Sequence, residues 1–323
     1  MTQAIAITEI ESARERLAEV RRQVSTVYIG DPSVIDSMLV ALLAQGHALL
    51  EGVPGVAKTT LVKAMAGALG CSMRRIQFTP DLLPADITGT YVLNPKDGNF
   101  SLRSGPIFTN VLLADEINRA PAKTQSALLE AMQERQVTIE GNRFELPNPF
   151  FVMATQNPID LDGTYPLPEA QIDRFLVRIG VGYPTPEQEL QMLKQHNVAS
   201  PEPQTILNAP EVTSLQSVTA RVHVEEDVCD YAVRLVGFTR HHAKVSLGAS
   251  PRATLSLLRA AKASAVLHGR PYTTPDDIRA AAPSVLAHRL ILAPEFDGDP
   301  DTASSIINEA LSHVSYRRAV QPA

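Results

Sequence analysis

Apolar residues recur every three or four positions near the start of the chain. Ile10, Ala13, Leu17, Val20 and Val24 predict an amphipathic helix from about Thr8, with Thr8 as its cap. Val34, Met38, Leu39 and Leu42 predict a second helix after Asp31-Pro32-Ser33. The period then changes. A short apolar run after His47 reads as a strand, and a loop with two glycines follows it. Thr59 to Leu69 returns to helical spacing and is closed by Gly70. Arg75 to Phe78 reads as a strand. Leu82 to Gly105 is broken by Pro84, Gly89, Pro95 and Gly98, and fits two short strands around Pro95-Lys96-Asp97-Gly98. Ile107 to Ala114 is apolar except for Thr109 and Asn110, as expected of a strand covered on both faces. A helix from Ala122 to about Arg135 turns Leu128, Leu129 and Met132 inward. Val137 to Leu146 predicts a hairpin around Glu140-Gly141-Asn142. Phe150 to Thr155 and Phe175 to Val181 predict two more strands.

Strands alternating with helices imply an α/β fold, a parallel sheet with helices on both faces. Prolines then thicken at Pro184, Pro186, Pro201, Pro203 and Pro210, and beyond them strand signals vanish. Four helical patterns remain, near residues 224–238, 251–267, 275–290 and 302–314. A chain of 323 residues exceeds one ordinary core, so we expect an αβα core over 1–206 and an all-helical domain over 207–323.

Composition narrows the partners. Lys plus Arg number 29 against 35 Asp plus Glu, a net charge of −6. That balance argues against sequence-independent nucleic-acid binding, which needs clustered cations. Cys71 and Cys229 show no paired spacing, so neither a zinc site nor a disulfide framework is expected. No signal peptide and no apolar run of about 18 residues is evident, so membrane insertion is not expected and the cytoplasm is the default compartment.

The chemistry concentrates after the first predicted strand, in Gly52-Val53-Pro54-Gly55-Val56-Ala57-Lys58-Thr59-Thr60. A tight loop opening a helix aims backbone N–H groups and the positive helix end at one point, which suits a polyphosphate. Lys58 adds a mobile cation, and Thr59 offers a hydroxyl to Mg²⁺. Ala57 stands where the strict pattern has a second glycine. A Cβ there calls for negative φ, which a helix start supplies.

Asp115 and Glu116 end a buried strand, where open α/β sheets bind ligands. Asp115 is a candidate Mg²⁺ ligand and Glu116 a candidate base for water. A second strand ends in Thr155-Gln156-Asn157, and one of these amides is expected between the terminal phosphate and Glu116, where it can orient that water. Arg174 precedes an edge strand, with Arg178 as its rival for stabilising phosphoryl charge from a neighbouring subunit. Ser250 and Pro251 read as cap and first residue of a helix, which puts Arg252 in its first turn. A cation there opposes the helix dipole and is tolerated if an anion lies near, so Arg252 is expected to reach the nucleotide phosphates.

With these motifs in place the chain resembles the MoxR family of AAA+ ATPases, in the clade with an insert in helix 2. The resemblance runs from about Ile29 to Ala293 and rests on GHALLEGVPGVAKT, RIQFTPDLLPADITG, LLADEINRAPAKTQSALLEAMQE, MATQNP, GTYPLPEAQIDRF and SPRA. It implies ATP and Mg²⁺ as cofactors, with Walker A in the first motif, Walker B in the third and Asn157 as sensor 1. It further implies an arginine finger at Arg174, a sensor 2 arginine at Arg252 and nucleotide contacts at Ile29 and Gly30. Ala57 is usual in the family. The insert would span about 81–103, and 137–146 would be the hairpin before sensor 1. A homo-hexameric ring, chaperone-like remodelling and a partner with a von Willebrand factor A domain are implied by the family alone.

Other readings use the same core. A ring motor on nucleic acid needs a basic hairpin, whereas the tip here is Glu140-Gly141-Asn142-Arg143 beside Glu145. A metal-chelatase motor subunit shares this architecture and charge does not dismiss it. A small-molecule kinase leaves Arg174 and the helical domain unexplained. The insert and hairpin carry Tyr91, Phe100 and Phe144 as exposed apolar candidates, which favours a protein client.

Overall fold

The computed structural model describes residues 5–53, 55–93, 95, 98–156, 164–196, 202–296 and 300–317. Helices α1 (Ile7–Ser25) and α2 (Pro32–Leu43) come first. The first begins one residue before the expected cap: Ala6 holds the N-cap position and makes no side-chain cap, so Thr8 already lies inside the helix. Asp31 does cap the second helix, accepting from the Ser33 N–H.

The core sheet then builds up through β1 (Ala48–Glu51), α3 (Lys58–Ala68) and β2 (Met73–Gln77). A short helix α4 (Pro84–Thr88) leads into the antiparallel pair β3 (Gly89–Leu93) and β4 (Phe100–Ser104). Next come β5 (Val111–Asp115), α5 (Ala122–Glu134), and the hairpin β6 (Gln136–Ile139) and β7 (Asn142–Glu145). The core ends with β8 (Phe151–Gln156), α6 (Glu169–Ile172), β9 (Val177–Gly180) and α7 (Pro186–His196). Five strands form one parallel sheet in the order β2-β5-β8-β1-β9.

The continuous apolar runs are explained by two separate cores. Alternate strand residues face opposite ways. Ala48, Leu50, Val111, Leu113, Phe151 and Met153 join the core formed with α1, α2 and α3. Leu49, Leu112, Ala114, Val152 and Ala154 join the other, under α4 and α5. In β1, β5 and β8 both faces are therefore dry, and these three strands carry no polar alternation along their buried length.

The second part of the chain contains α8 (Ala209–Arg221), α9 (Glu226–Arg240), β10 (Val245–Leu247), α10 (Pro251–Leu267), α11 (Pro275–Leu286), β11 (Ile291–Leu292) and α12 (Pro300–His313). It is not purely helical: β10 and β11 pair antiparallel. The two strands are too short to leave a periodic signal. These helices share one apolar cluster with α1–α3. Gln216 Nε2 donates to the Leu42 carbonyl at 2.8 Å and ties α8 to α2. The helical part thus packs on the α1–α2 face of the sheet. No described helix is long and apolar enough to cross a membrane.

Candidate nucleotide site

The loop between β1 and α3 leaves the carboxyl end of the sheet. Gly52 is required there by close approach as much as by any ligand: a Cβ would stand 2.3 Å from the Val181 carbonyl oxygen. Gly55 takes φ +86°. Ala57 also lies in the left-handed region, at φ 58° and ψ 23°, as the N-cap of α3. This corrects the expectation of a helical φ. The loop must reverse its hand immediately before Lys58, and Ala57 does so against its Cβ, at a cost of about 1–2 kcal/mol. Val56 is buried beneath the loop, while Thr59 and Thr60 begin the helix. Pro54 lies outside the described residues. Ile29 and Gly30 lie in the link between α1 and α2, with Ile29 buried.

Lys58 Nζ folds back and donates to the Gly52 carbonyl at 2.6 Å. Partial burial lowers its pKa, against the opposing pull of Asp115, Glu116 and Glu51. The lysine therefore stands in the field of the acidic strand end, as one centre requires.

Asp115 and Glu116 are held by neighbours to which the sequence assigned no such role. Arg75, on the adjacent β2, donates to Asp115 Oδ2 from Nη2 at 2.6 Å and from Nε at 3.0 Å. The Thr155 hydroxyl donates to Asp115 Oδ1 at 2.5 Å and accepts the Glu116 N–H at 2.8 Å. Gln77 Nε2 donates to Glu116 Oε2 at 2.7 Å, and Arg119 Nε lies 3.1 Å from the same oxygen. Glu116 itself is left-handed, at φ 56° and ψ 51°. Such strain persists where surrounding bonds over-determine it, and it clusters at working sites. The signal for Arg75 and Gln77 was present in the sequence as polar positions alternating along an edge strand, but their partners lie about 40 residues away.

β8 lies between β5 and β1, so its end falls between Asp115 and the phosphate loop. Gln156 ends this strand with a buried Oε1 that has no hydrogen-bond partner among the described residues. Asn157 lies outside the described residues. A carboxylate such as Asp115 and a hydroxyl such as Thr59 are oxygen donors of the hard type that would suit Mg²⁺ alongside phosphate oxygens.

The two arginines stand elsewhere. Arg174 follows α6, just before β9, whose first residue Val177 is level with Ala48 at the start of β1. Both residues are at the amino end of the sheet. A cavity of about 630 Å³ opens there and is lined by Arg135, Arg174, Arg252, Arg259, Lys262 and Arg289, with Asp173 the single acid among its described lining residues. Gly46 also lines it. Gly46 and Gly52 bracket β1, and six residues of extended chain span about 20 Å. Arg252 therefore does not reach the phosphate loop of its own chain, which corrects the expectation from sequence. Its Nη1 lies 3.7 Å from Asp173 Oδ2 instead. Ser250 occupies the N-cap position of α10, but its buried hydroxyl has no partner among the described residues and makes no side-chain cap. Arg178, the rival of Arg174, is committed to Glu51 at 2.7 Å within the sheet.

The expected apolar surface is also revised. Phe100 is 69% exposed, and Val92 and Leu93 on the paired strand are exposed as well. Phe144 packs edge-on against Phe108, and Phe144 and Tyr91 both lean on the second core.

A parallel sheet with a phosphate loop after one strand and an acidic pair after another defines a nucleotide-dependent ATPase core with a helical lid. Residues 47–177 match the model of the ATPase family associated with various cellular activities (AAA), and residues 237–310 match the AAA lid domain. The chain is 45% identical to Chaperone MoxR1 of Mycobacterium tuberculosis, covering 95% of this chain and 83% of that protein. It is 46% identical to Uncharacterized protein YeaC of Bacillus subtilis, over 94% and 96% of the two chains. It is 31% identical to Protein MoxR of Methylorubrum extorquens, over 88% and 90%. A crystal structure from Cytophaga hutchinsonii, presented as that of a candidate ATPase, superposes with a TM-score of 0.90 at 41% identity, over 96% of this chain and 97% of that one. The chain belongs to the MoxR family of AAA+ ATPases.

Proposed function

We propose that this chain hydrolyses ATP with Mg²⁺ in a homo-hexameric ring and uses the cycle to remodel a protein client. One observation carries the ring: Lys58, Asp115 and Glu116 stand at one end of the sheet, and Arg174 and Arg252 at the other. A single subunit has an incomplete centre. Head-to-tail contacts around a ring bring unlike ends together, so each centre is completed by its neighbour.

In this reading the core is 1–206 and the lid 207–323. Residues Gly52 to Thr60 wrap the phosphates, and Ile29 and Gly30 border the base. Thr59 and Asp115 hold Mg²⁺, which neutralises charge on the terminal phosphates when bound. Glu116 takes the proton of the attacking water, oriented by Asn157. Arg174 and Arg252 of the next subunit stabilise charge on the transferring phosphoryl group. Lys58 exchanges its bond to the Gly52 carbonyl for phosphate oxygens. The exposed Phe100, Leu93 and Val92 at the β3–β4 tip suit a protein surface better than a polyanion. A von Willebrand factor A domain protein is the proposed partner there, through family resemblance, and nucleic acid is not a proposed partner.

The test is complementation. Arg174→Ala and Glu116→Gln chains should each be slow alone. Mixed in equal amounts they should regain activity at about a quarter of interfaces, those with both groups intact. Mixed rings that form and recover nothing would refute the shared centre.

A further inference from the structure

Two adjacent residues of the lid grip the segment that carries Arg174. His288 and Arg289 form a single helical turn after α11 and are both buried. Arg289, with 2% of its side chain exposed, donates from Nε to Asp173 Oδ1 at 2.6 Å. Its Nη2 donates to the carbonyls of Phe175 at 2.7 Å and Asp173 at 3.1 Å. Its Nη1 reaches the Leu176 carbonyl at 3.2 Å and the Val285 carbonyl of its own helix end. His288 Nε2 lies 3.2 Å from the Phe175 carbonyl, in donor geometry. One guanidinium and one imidazole thus occupy backbone or side-chain acceptors on residues 173, 175 and 176, on both sides of Arg174.

Asp173 is shared. Its Oδ1 belongs to the buried Arg289, while its Oδ2 faces Arg252, whose side chain is 58% exposed at the longer distance of 3.7 Å. The first contact is fixed and the second is exchangeable. We propose that Arg289, acting through Asp173 and the 173–176 backbone, is a positioning residue for Arg174, and that it couples the lid of one subunit to hydrolysis in the next. This rests on the reading that Arg174 acts on a neighbour. When Arg252 leaves Asp173 for phosphate, Arg289 keeps the carboxylate occupied and the arginine-bearing segment in place. Displacing a positioned catalytic group by about 1 Å costs about 10²-fold in rate.

The experiment reads the effect across an interface. Wild-type protein is mixed with an excess of Glu116→Gln chains, so that most active centres receive Arg174 from an inactive donor. The donor carries Arg289→Lys, Asp173→Asn or, as reference, Arg174→Ala. Lysine keeps the charge of Arg289 but lacks the planar fork that serves several acceptors. At interfaces supplied by Arg289→Lys donors the rate at saturating ATP should fall about 10²-fold, so the mixture drops toward the activity left by wild-type neighbours, with KM moving by no more than a few-fold. Asp173→Asn donors should also lower it, and this variant keeps the side-chain shape if Arg289→Lys donors fail to join rings. Affinity of either donor for a fluorescent ATP analogue at its own centre should stay unchanged, which separates positioning from a damaged lid. Full rate with both donors, where Arg174→Ala donors abolish it, would overturn the proposal alone. Full rate with Arg174→Ala donors would overturn the trans reading and this inference with it.

Discussion

Thr155→Val is the sharpest probe of how the acidic strand end is built. The two side chains have nearly the same shape, and Thr155 is 1% exposed, so neither water nor a cavity enters the comparison. The substitution deletes the hydrogen bond given to Asp115 and orphans the Glu116 N–H. A hydrogen bond to a charged group contributes about 1.5–3 kcal/mol, and an unsatisfied buried donor costs about 1–3 kcal/mol. Together they give a loss near 3 kcal/mol, since the two figures overlap in what they count. Glu116 is then held less firmly at φ 56°, and its carboxylate shifts away from the reacting water. A shift of that kind lowers the rate about 10²-fold. Urea unfolding gives the first quantity and phosphate release at saturating ATP the second. Thr155→Ser, which restores the hydroxyl, should recover most of both. A loss under about 1 kcal/mol together with an unchanged rate would refute the claim that Thr155 sets the geometry of Asp115 and Glu116.

Glu116→Gln keeps an oxygen for Gln77 and Arg119 but removes the base, so turnover should fall about 10²–10⁴-fold while ATP affinity holds in equilibrium binding. Lys58→Ala should do the reverse and weaken the binding of a fluorescent ATP analogue directly. His47 is fully buried between the Val152 N–H and the Met132 carbonyl, and burial lowers its pKa from 6.5 to about 4. Its depressed value means the unfolded chain takes up a proton the native chain refuses. Stability should therefore fall as pH drops from about 6.5 to about 4, by about 3 kcal/mol for this one group. Urea midpoints across that range, with His47→Gln losing part of the slope, check it. Phe100→Ser at the exposed β3–β4 tip should leave basal ATPase intact and abolish the effect of a client or partner protein on turnover.

Local order determined most of the architecture. A strand, a glycine-bearing turn and a helix follow from residues within about fifteen positions, because side-chain periodicity and turn chemistry are local properties. The runs at Val111–Asp115 and Phe151–Gln156 were legible as doubly buried strands because both faces of a parallel sheet exclude water. That Lys58, Asp115 and Glu116 would lie at one end of the sheet was legible because loops after parallel strands collect there. What tertiary structure alone decided depends on groups brought together from far apart. Ala57 is left-handed at the entry to α3, and no neighbour in sequence announces it. The partners of Asp115 and Glu116 come from β2 and β8, so Arg75, Gln77 and Thr155 acquire meaning only through strand order. Arg252 looked like a ligand for its own nucleotide because a helix-start arginine invites an anion. The packing of the lid on the α1–α2 face placed it with Arg174 at the opposite end of the sheet, and which end a side chain reaches is fixed by packing between domains, not by the spacing of motifs.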